Sequence, residues 1–320
     1  MIFFQKTSPD EGNILSIFAP IEPLSNSAGE PLYYLMRINV LFLCLFVVIV
    51  SSCADTRIKD HTEWGKYYEQ YGIKNACFML RDNNHESIHY YNKERCTQRF
   101  LPASTFKIFN SLVALETAVA PDDQLLIKWD GRQRRAEWDK DMTMREAFKL
   151  SNVAYYQEIA RRIGPGKMQH YLDTVKYGNM TMGGSIDTFW LNNTLQISPD
   201  EQTGFVKKLY FAELPFAERT QRIVKTMMLQ EETPAYKLYY KTGTGHLGDK
   251  YIYWVTGFVE RVQHVKEPEG SMNKSDVRNY PYFFTENFEM PVADTTKDWF
   301  KVRLDVLHSI LKDYGAIPAQ

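Results

Sequence analysis

The chain has 320 residues, 44% of them hydrophobic and 14% aromatic, with a formal net charge of −1. That is enough apolar material for one large domain or two modest ones. The near-zero charge, with no long basic run, argues against a nucleic-acid partner, whose phosphates need clustered Lys and Arg. A mean hydropathy of −0.40 argues against a polytopic membrane protein.

Met36-Arg37-Ile38-Asn39 offers a second start with one positive charge, followed by an apolar run over residues 40–50 and then Ser51-Ser52-Cys53. A basic residue, a short apolar stretch and small residues come in the order of a secretory signal. The run is too short for a comfortable transmembrane helix. Val50-Ser51-Ser52-Cys53 also resembles a bacterial lipobox, in which Cys53 becomes the lipidated first residue of a mature lipoprotein; the alternative is an ordinary signal peptide with an incidental cysteine. Residues 1–35, with Lys6 their only basic residue, read as an extension ahead of the true start. The resulting division is a signal over 36–53, a linker over 54–63 and a single domain over 64–320. The expected location is the periplasm of a Gram-negative-type bacterium, free or anchored to the membrane through Cys53.

Residues 64–71 read as a short amphipathic helix packed by Trp64, Tyr67 and Tyr68. Residues 76–80 read as a buried strand, Arg81-Asp82-Asn83-Asn84 as a turn, and residues 87–91 as its hairpin partner. A long helix is predicted from Pro102 to about Val119. The middle of the chain is predicted helical: one helix over 145–163, ended by Gly164-Pro165-Gly166, then shorter ones over 169–176, 198–209 and 217–229. Strands return at 236–240, 251–259 and 280–284, and a final helix over 299–311 places Phe300, Leu304, Leu307 and Ile310 on one side. This order predicts a mixed α+β fold, an antiparallel sheet flanked by helices with an inserted all-helical lobe. Of the four cysteines, Cys44 and Cys53 belong to the signal region. Cys77 and Cys96 remain, either as one disulfide in an oxidising compartment or as two buried thiols. The seven histidines are scattered, with no H-E-x-x-H, so no metal is expected.

Ser104-Thr105-Phe106-Lys107 places a hydroxyl and an amine three residues apart at a helix start, on one face. A serine hydroxyl becomes a nucleophile when a base takes its proton, and a lysine amine is such a base only when desolvated. The helix N-terminus adds N–H groups that favour an oxyanion. The pattern alone is weak, since Ser271-Met272-Asn273-Lys274 fits it too, in a polar stretch without apolar company. Further motifs lend it weight. Lys241-Thr242-Gly243 follows a predicted strand, with Gly243 removing a Cβ that would block substrate from the backbone. Between lie Ser151-Asn152-Val153 and Tyr177-Gly178-Asn179. S-x-x-K and K-T-G occur together in β-lactamases and penicillin-binding proteins.

The series P-A-S-T-F-K, S-x-V, Y-G-N and K-T-G, in this order, resembles the class D, or oxacillinase-type, serine β-lactamases. The resemblance runs from about Trp64 to the C-terminus and includes Lys128-Trp129-Asp130-Gly131, Gln157-Glu158-Ile159-Ala160-Arg161 and Phe189-Trp190-Leu191. It implies the serine β-lactamase and penicillin-binding transpeptidase fold and hydrolysis of a small-molecule β-lactam. Ser104 would be the acylating nucleophile, and Lys107, carbamylated by CO₂, the general base; no other cofactor is implied. Val153, Trp190 and Leu191 would wall a dry pocket, the Trp190 N–H holding the carbamate. Ser151 and Lys241 would relay a proton to the leaving nitrogen, and the N–H groups of Ser104 and Thr244 would form the oxyanion hole. Thr242, Gly243 and Arg303 would bind substrate, Thr242 and Arg303 through its carboxylate. Tyr177 and Asn179 would shape the site. The sequence departs from the family at Tyr253-Trp254-Val255-Thr256-Gly257, where a W-V-G type run is usual, and 244–249 reads as a short loop in which His246 is solvated. The other functions compatible with these motifs are a β-lactam-binding sensor and a penicillin-binding peptidase.

Overall fold

The computed structural model describes residues 57–265 and 276–319. The extension over 1–35, the signal-like segment with Cys44 and Cys53, and the pattern at Ser271 all lie outside the described residues.

Seven strands form one sheet in the order β1-β3-β2-β9-β8-β7-β6. They are β1 Ile58–Asp60, β2 Asn75–Asp82, β3 Ser87–Tyr91, β6 Leu229–Glu232, β7 Tyr236–Leu247, β8 Lys250–Val265 and β9 Asp276–Pro291; β4 Leu126–Ile127 and β5 Met142–Thr143 pair separately. All neighbours run antiparallel except β1 with β3. The mixed α+β architecture with an antiparallel sheet is thus the one expected. Ile58–Asp60 is a strand, however, within the segment read as a linker.

Alternation along the central strands gives each side of the sheet its own core. Phe284 and Phe288 of β9, Phe78 and Leu80 of β2 and Val255 of β8 join Trp64, Tyr68 and the apolar side of the last helix, Val306, Leu307 and Ile310. On the opposite side, Phe258 and Phe283 join the core of the helical lobe. The helices are α1 Lys66–Glu69, α2 Lys93–Thr97, α3 Lys107–Glu116, α4 Met144–Lys149, α5 Val153–Ile163, α6 Pro165–Val175, α7 Pro199–Tyr210, α8 Glu218–Met227 and α9 Trp299–Tyr314. Short 3₁₀ turns lead into two of them, Thr62–Gly65 into α1 and Ala103–Phe106 into α3.

The structure departs from the expected elements in ways that matter for the site. The single helix expected over 145–163 is two helices, broken at Leu150-Ser151-Asn152, where Ser151 takes φ 55° and the Asn152 side chain caps α5 by accepting from Tyr155 N–H. The strand expected to end at Tyr240 continues to Leu247, so Lys241-Thr242-Gly243 lies within β7 rather than after it. Residues 244–247 are therefore strand, paired with Lys250 to Tyr253, and not the loop expected. Cys77 and Cys96 are both buried free thiols, which decides between the two readings of that pair.

Candidate active site

The nucleophile turn is held from several directions. Phe100 and Ile197 exchange backbone hydrogen bonds of 3.0 and 2.9 Å, the Trp254 indole donates to Leu101 O at 3.0 Å, and Ala103 N–H donates to Trp190 O at 3.1 Å. Thr105 Oγ1 donates to Pro102 O at 2.7 Å and accepts from Gln202 Nε2 of α7, also at 2.7 Å. These ties impose φ 48° on Ala103, immediately before Ser104. Non-glycine residues take that conformation at a cost of about 1–3 kcal/mol, sustained only where the surroundings over-determine it.

Lys107 opens α3, and its Nζ lies 2.9 Å from Ser104 Oγ. Phe106 and Phe109 pack around this turn, with Phe106 stacked on Trp190 at 5.2 Å. Lys107 is 1% exposed, and burial pulls its amine down to about 7. An aliphatic ammonium has no reason to lose its proton in water near neutral pH; here desolvation of the charge supplies one. Trp190 is fully buried and its Nε1–H has no hydrogen-bond partner, an arrangement that costs free energy unless an acceptor arrives.

The break between α4 and α5 points Ser151 Oγ at Lys241, which comes from β7; Lys241 Nζ hydrogen-bonds Ser151 Oγ and donates to Thr242 O at 3.0 Å. Burial, then the charges of Lys107 and Arg303, drive Lys241 well below the usual lysine range. β7 approaches the nucleophile turn so closely that a Cβ on Gly243 would stand 3.0 Å from Pro102 O and 3.1 Å from Thr105 Cγ2. Contact between the turn and the strand thus favours glycine at this position. Arg303 of α9 is 7% exposed, and its Nη1 donates to Gly243 O and Thr244 Oγ1, each at 3.0 Å. Burial lowers its guanidinium to about 10.

Val153, the first residue of α5, and Leu191 are half-buried. Tyr177 is buried among Phe106, Phe109 and Phe205. Asn179 donates to Thr194 O at 2.9 Å and accepts from Gln196 N–H at 3.0 Å, closing the loop that carries Trp190. Both sit in the framework around the nucleophile turn. His246 is exposed near the end of β7. Sequence reasoning missed Gln202 and the strained Ala103, and no local pattern marks either. Thr256, the departure in the usual W-V-G run, is buried and hydrogen-bonded to Thr285 at 2.8 Å, which in turn meets Thr203 at 2.8 Å. A cavity of about 590 Å³ opens beside Lys128, Trp129, Trp138 and Arg161; Asn152 reaches it, but none of Ser104, Lys107, Ser151 or Lys241 does.

A serine beside a desolvated lysine, a second serine–lysine pair and a glycine-lined strand edge define a serine acyl-transfer enzyme of the penicillin-binding type. Residues 62–266 match the penicillin binding protein transpeptidase domain family. β-Lactamase OXA-48 of Klebsiella pneumoniae is 33% identical over 284 residues, covering 88% of this chain and 99% of the relative. β-Lactamase OXA-5 of Pseudomonas aeruginosa is 36% identical, over 71% and 85% of the two chains. The crystal structure of the class D β-lactamase YbXI from Nostoc is 38% identical, with a TM-score of 0.69 over 79% of this chain and 98% of that one. The chain belongs to the class D serine β-lactamases, and it is a hydrolase.

Proposed function

We propose that the protein opens β-lactam rings through an acyl-Ser104 intermediate, with a carbamate formed from CO₂ on Lys107 as general base. The observation that carries this is the Lys107 amine, buried and 2.9 Å from Ser104 Oγ, together with a buried Trp190 N–H that lacks an acceptor. When bound on Lys107 Nζ, CO₂ supplies an anionic oxygen base and the acceptor that Trp190 lacks. Val153 and Leu191 help keep water from that pocket.

In the first half-reaction Ser104 Oγ bonds to the lactam carbonyl carbon as its proton leaves toward the Lys107 side chain. The oxyanion is received by the N–H groups of Ser104 and Thr244. The lactam C–N bond then breaks, and the nitrogen takes a proton from Ser151 Oγ, which Lys241 Nζ replaces. The proton held on the Lys107 side chain passes to Lys241 Nζ, restoring both groups. In the second half-reaction a water adds to the ester carbon, its proton leaving toward the Lys107 side chain. The C–Oγ bond breaks, Ser104 Oγ takes that proton back, and the new carboxylic acid releases its own proton to solvent, leaving a carboxylate and a free amine. Thr242 and Arg303 grip the substrate carboxylate throughout.

Mixing the protein with a chromogenic cephalosporin tests the reading. Steady turnover is expected; a single stoichiometric burst would instead mark a sensor or a peptidase that deacylates slowly. The proposal extends to location: an exported protein anchored through a lipidated Cys53, checked by fatty-acid labelling that Cys53→Ser should abolish.

A further inference from the structure

We infer that Glu286, a carboxyl buried on the side of the sheet under α9, is a positioning residue for Arg303. Neutral, it leaves the guanidinium free to hold a substrate carboxylate; ionised, it draws the guanidinium back and cancels its charge. The inference rests on the reading that Arg303 grips that carboxylate.

Glu286 stands at the centre of β9, directly opposite Phe78 of β2 and Val255 of β8, and Val255 in turn stands opposite Thr242 of β7. Directly paired residues of antiparallel strands point to the same face. Phe78, Glu286, Val255 and Thr242 therefore make one transverse row beneath α9, in which strand spacing puts the Glu286 and Thr242 backbones about 10 Å apart. Arg303 descends from α9 onto this face at Gly243 and Thr244. Its buried Nε has no hydrogen-bond partner, and the buried Glu286 oxygens make no close hydrogen bond, although the Tyr68 hydroxyl acts on the carboxyl as a donor. A buried donor and a buried acid left unsatisfied on one face are costly separately. They become intelligible together if the guanidinium has two resting places, one toward β7 and the substrate, the other toward β9.

The other titratable groups around the pair are few. Tyr68 of α1 faces Glu286, Cys77 acts on it from the opposite face of β2, and Tyr240 of β7, Tyr253 of β8 and Asp298 at the start of α9 face Arg303. Lys241, on the opposite side of the sheet, feels the Arg303 charge. Burial holds the Glu286 carboxyl well above the ordinary carboxylate range, with Arg303 pulling the other way. The sign follows. Below its raised pKa the acid is neutral and Arg303 offers its whole charge to an anionic ligand; above it the site loses one positive charge. Binding of a carboxylate-bearing β-lactam should accordingly weaken toward alkaline pH, beyond what the titration of Lys241 alone produces.

The test compares kcat and kcat/KM for a penicillin across pH in the wild type, Glu286→Gln and Arg303→Ala. Since kcat/KM reports ionisations of the free enzyme, the ratio of wild type to E286Q should fall about tenfold from acid to alkaline pH, with little change in the ratio of kcat. Parallel kcat/KM profiles for the two enzymes would overturn the inference, as would equal losses in kcat and kcat/KM at every pH, which mark a merely structural role. Undiminished kcat/KM in R303A would remove the carboxylate-grip reading instead, so the two failures are distinguishable. If E286Q does not fold, Glu286→Met, apolar and of similar volume, must lose the alkaline fall in the same way.

Discussion

The amine of Lys107 has to be neutral before it can combine with CO₂, and burial, by lowering its pKa to about 7, brings the neutral form into range near neutral pH. Below about pH 7 the ammonium form predominates in the folded protein, so the fraction able to react falls as pH falls through that value. Activity should therefore drop when CO₂ is removed from acidic buffer, recover on adding bicarbonate, and need more bicarbonate at lower pH. Unchanged rates in degassed acidic buffer would mean that a plain amine is the base. Trp190 makes a second, independent claim. Its Nε1–H is buried without an acceptor, so Trp190→Phe removes a donor while keeping an aromatic ring against Phe106. A hydrogen bond to a charged group contributes about 1.5–3 kcal/mol, so the bicarbonate needed for half-maximal activity should rise by about tenfold or more. A requirement equal to the wild type's would remove Trp190 from the base. At Ser104, replacement by Ala should abolish covalent labelling by penicillin; labelling that persists would place the nucleophile elsewhere.

At the scale of elements, the site is assembled by interruptions of regular structure. α4 and α5 would form one helix but for Ser151 at φ 55°, and the break is what turns Ser151 Oγ toward Lys241. Asn152 secures it by capping α5. Replacing Asn152 by Ala should cost about 1 kcal/mol in stability, the usual worth of such a cap. If Ser151 serves the leaving nitrogen as proposed, the replacement should also lower kcat more than it raises KM. Denaturant unfolding with steady-state kinetics checks both, and an intact kcat with the expected loss of stability would separate the cap from the proton relay. Why this break is hidden in the sequence is clear: residues 145–163 keep helical spacing of apolar side chains without a Gly or Pro to mark the interruption. The extension of β7 is hidden for the opposite reason. Thr242-Gly243-Thr244-Gly245 has little strand character of its own, and becomes strand because Ile252 to Val255 pair with it. Ser104 and Lys107 were legible because their chemistry is encoded at a fixed local spacing. Glu286 was not, because the expected strand stops at Phe284, and an acid beyond it gives no sign that a longer strand will bury it. Lys241 stood between: its motif was visible, its partner Ser151 came only by resemblance.

For the molecule as a whole, chemistry at Lys107 works against stability. An unfolded chain leaves the amine at its usual 10.5, whereas the folded protein holds it at about 7. Between these values the unfolded state binds the extra proton, so this group's contribution to stability rises as pH rises from about 7 toward 10.5 and is most unfavourable below that window. The penalty at neutral pH and below is on the order of a few kcal/mol, a large part of a typical net stability. Lys107→Met keeps a flexible apolar stem in the same core among Phe106 and Phe109 while removing the titration. In buffer free of CO₂ the variant should therefore be inactive yet more stable than the wild type near neutral pH, with an advantage that shrinks as pH climbs through the window. Urea unfolding of both proteins at several pH values measures the difference directly. An advantage that stays constant with pH would show that the gain comes from packing, and a variant no more stable than the wild type would show that the buried amine carries no such penalty. The proposed base is a fully buried lysine at the start of α3, beside the core of the helical lobe. On the proposed mechanism, a substitution that relieves its desolvation should therefore stabilise the domain and disable the reaction in one step.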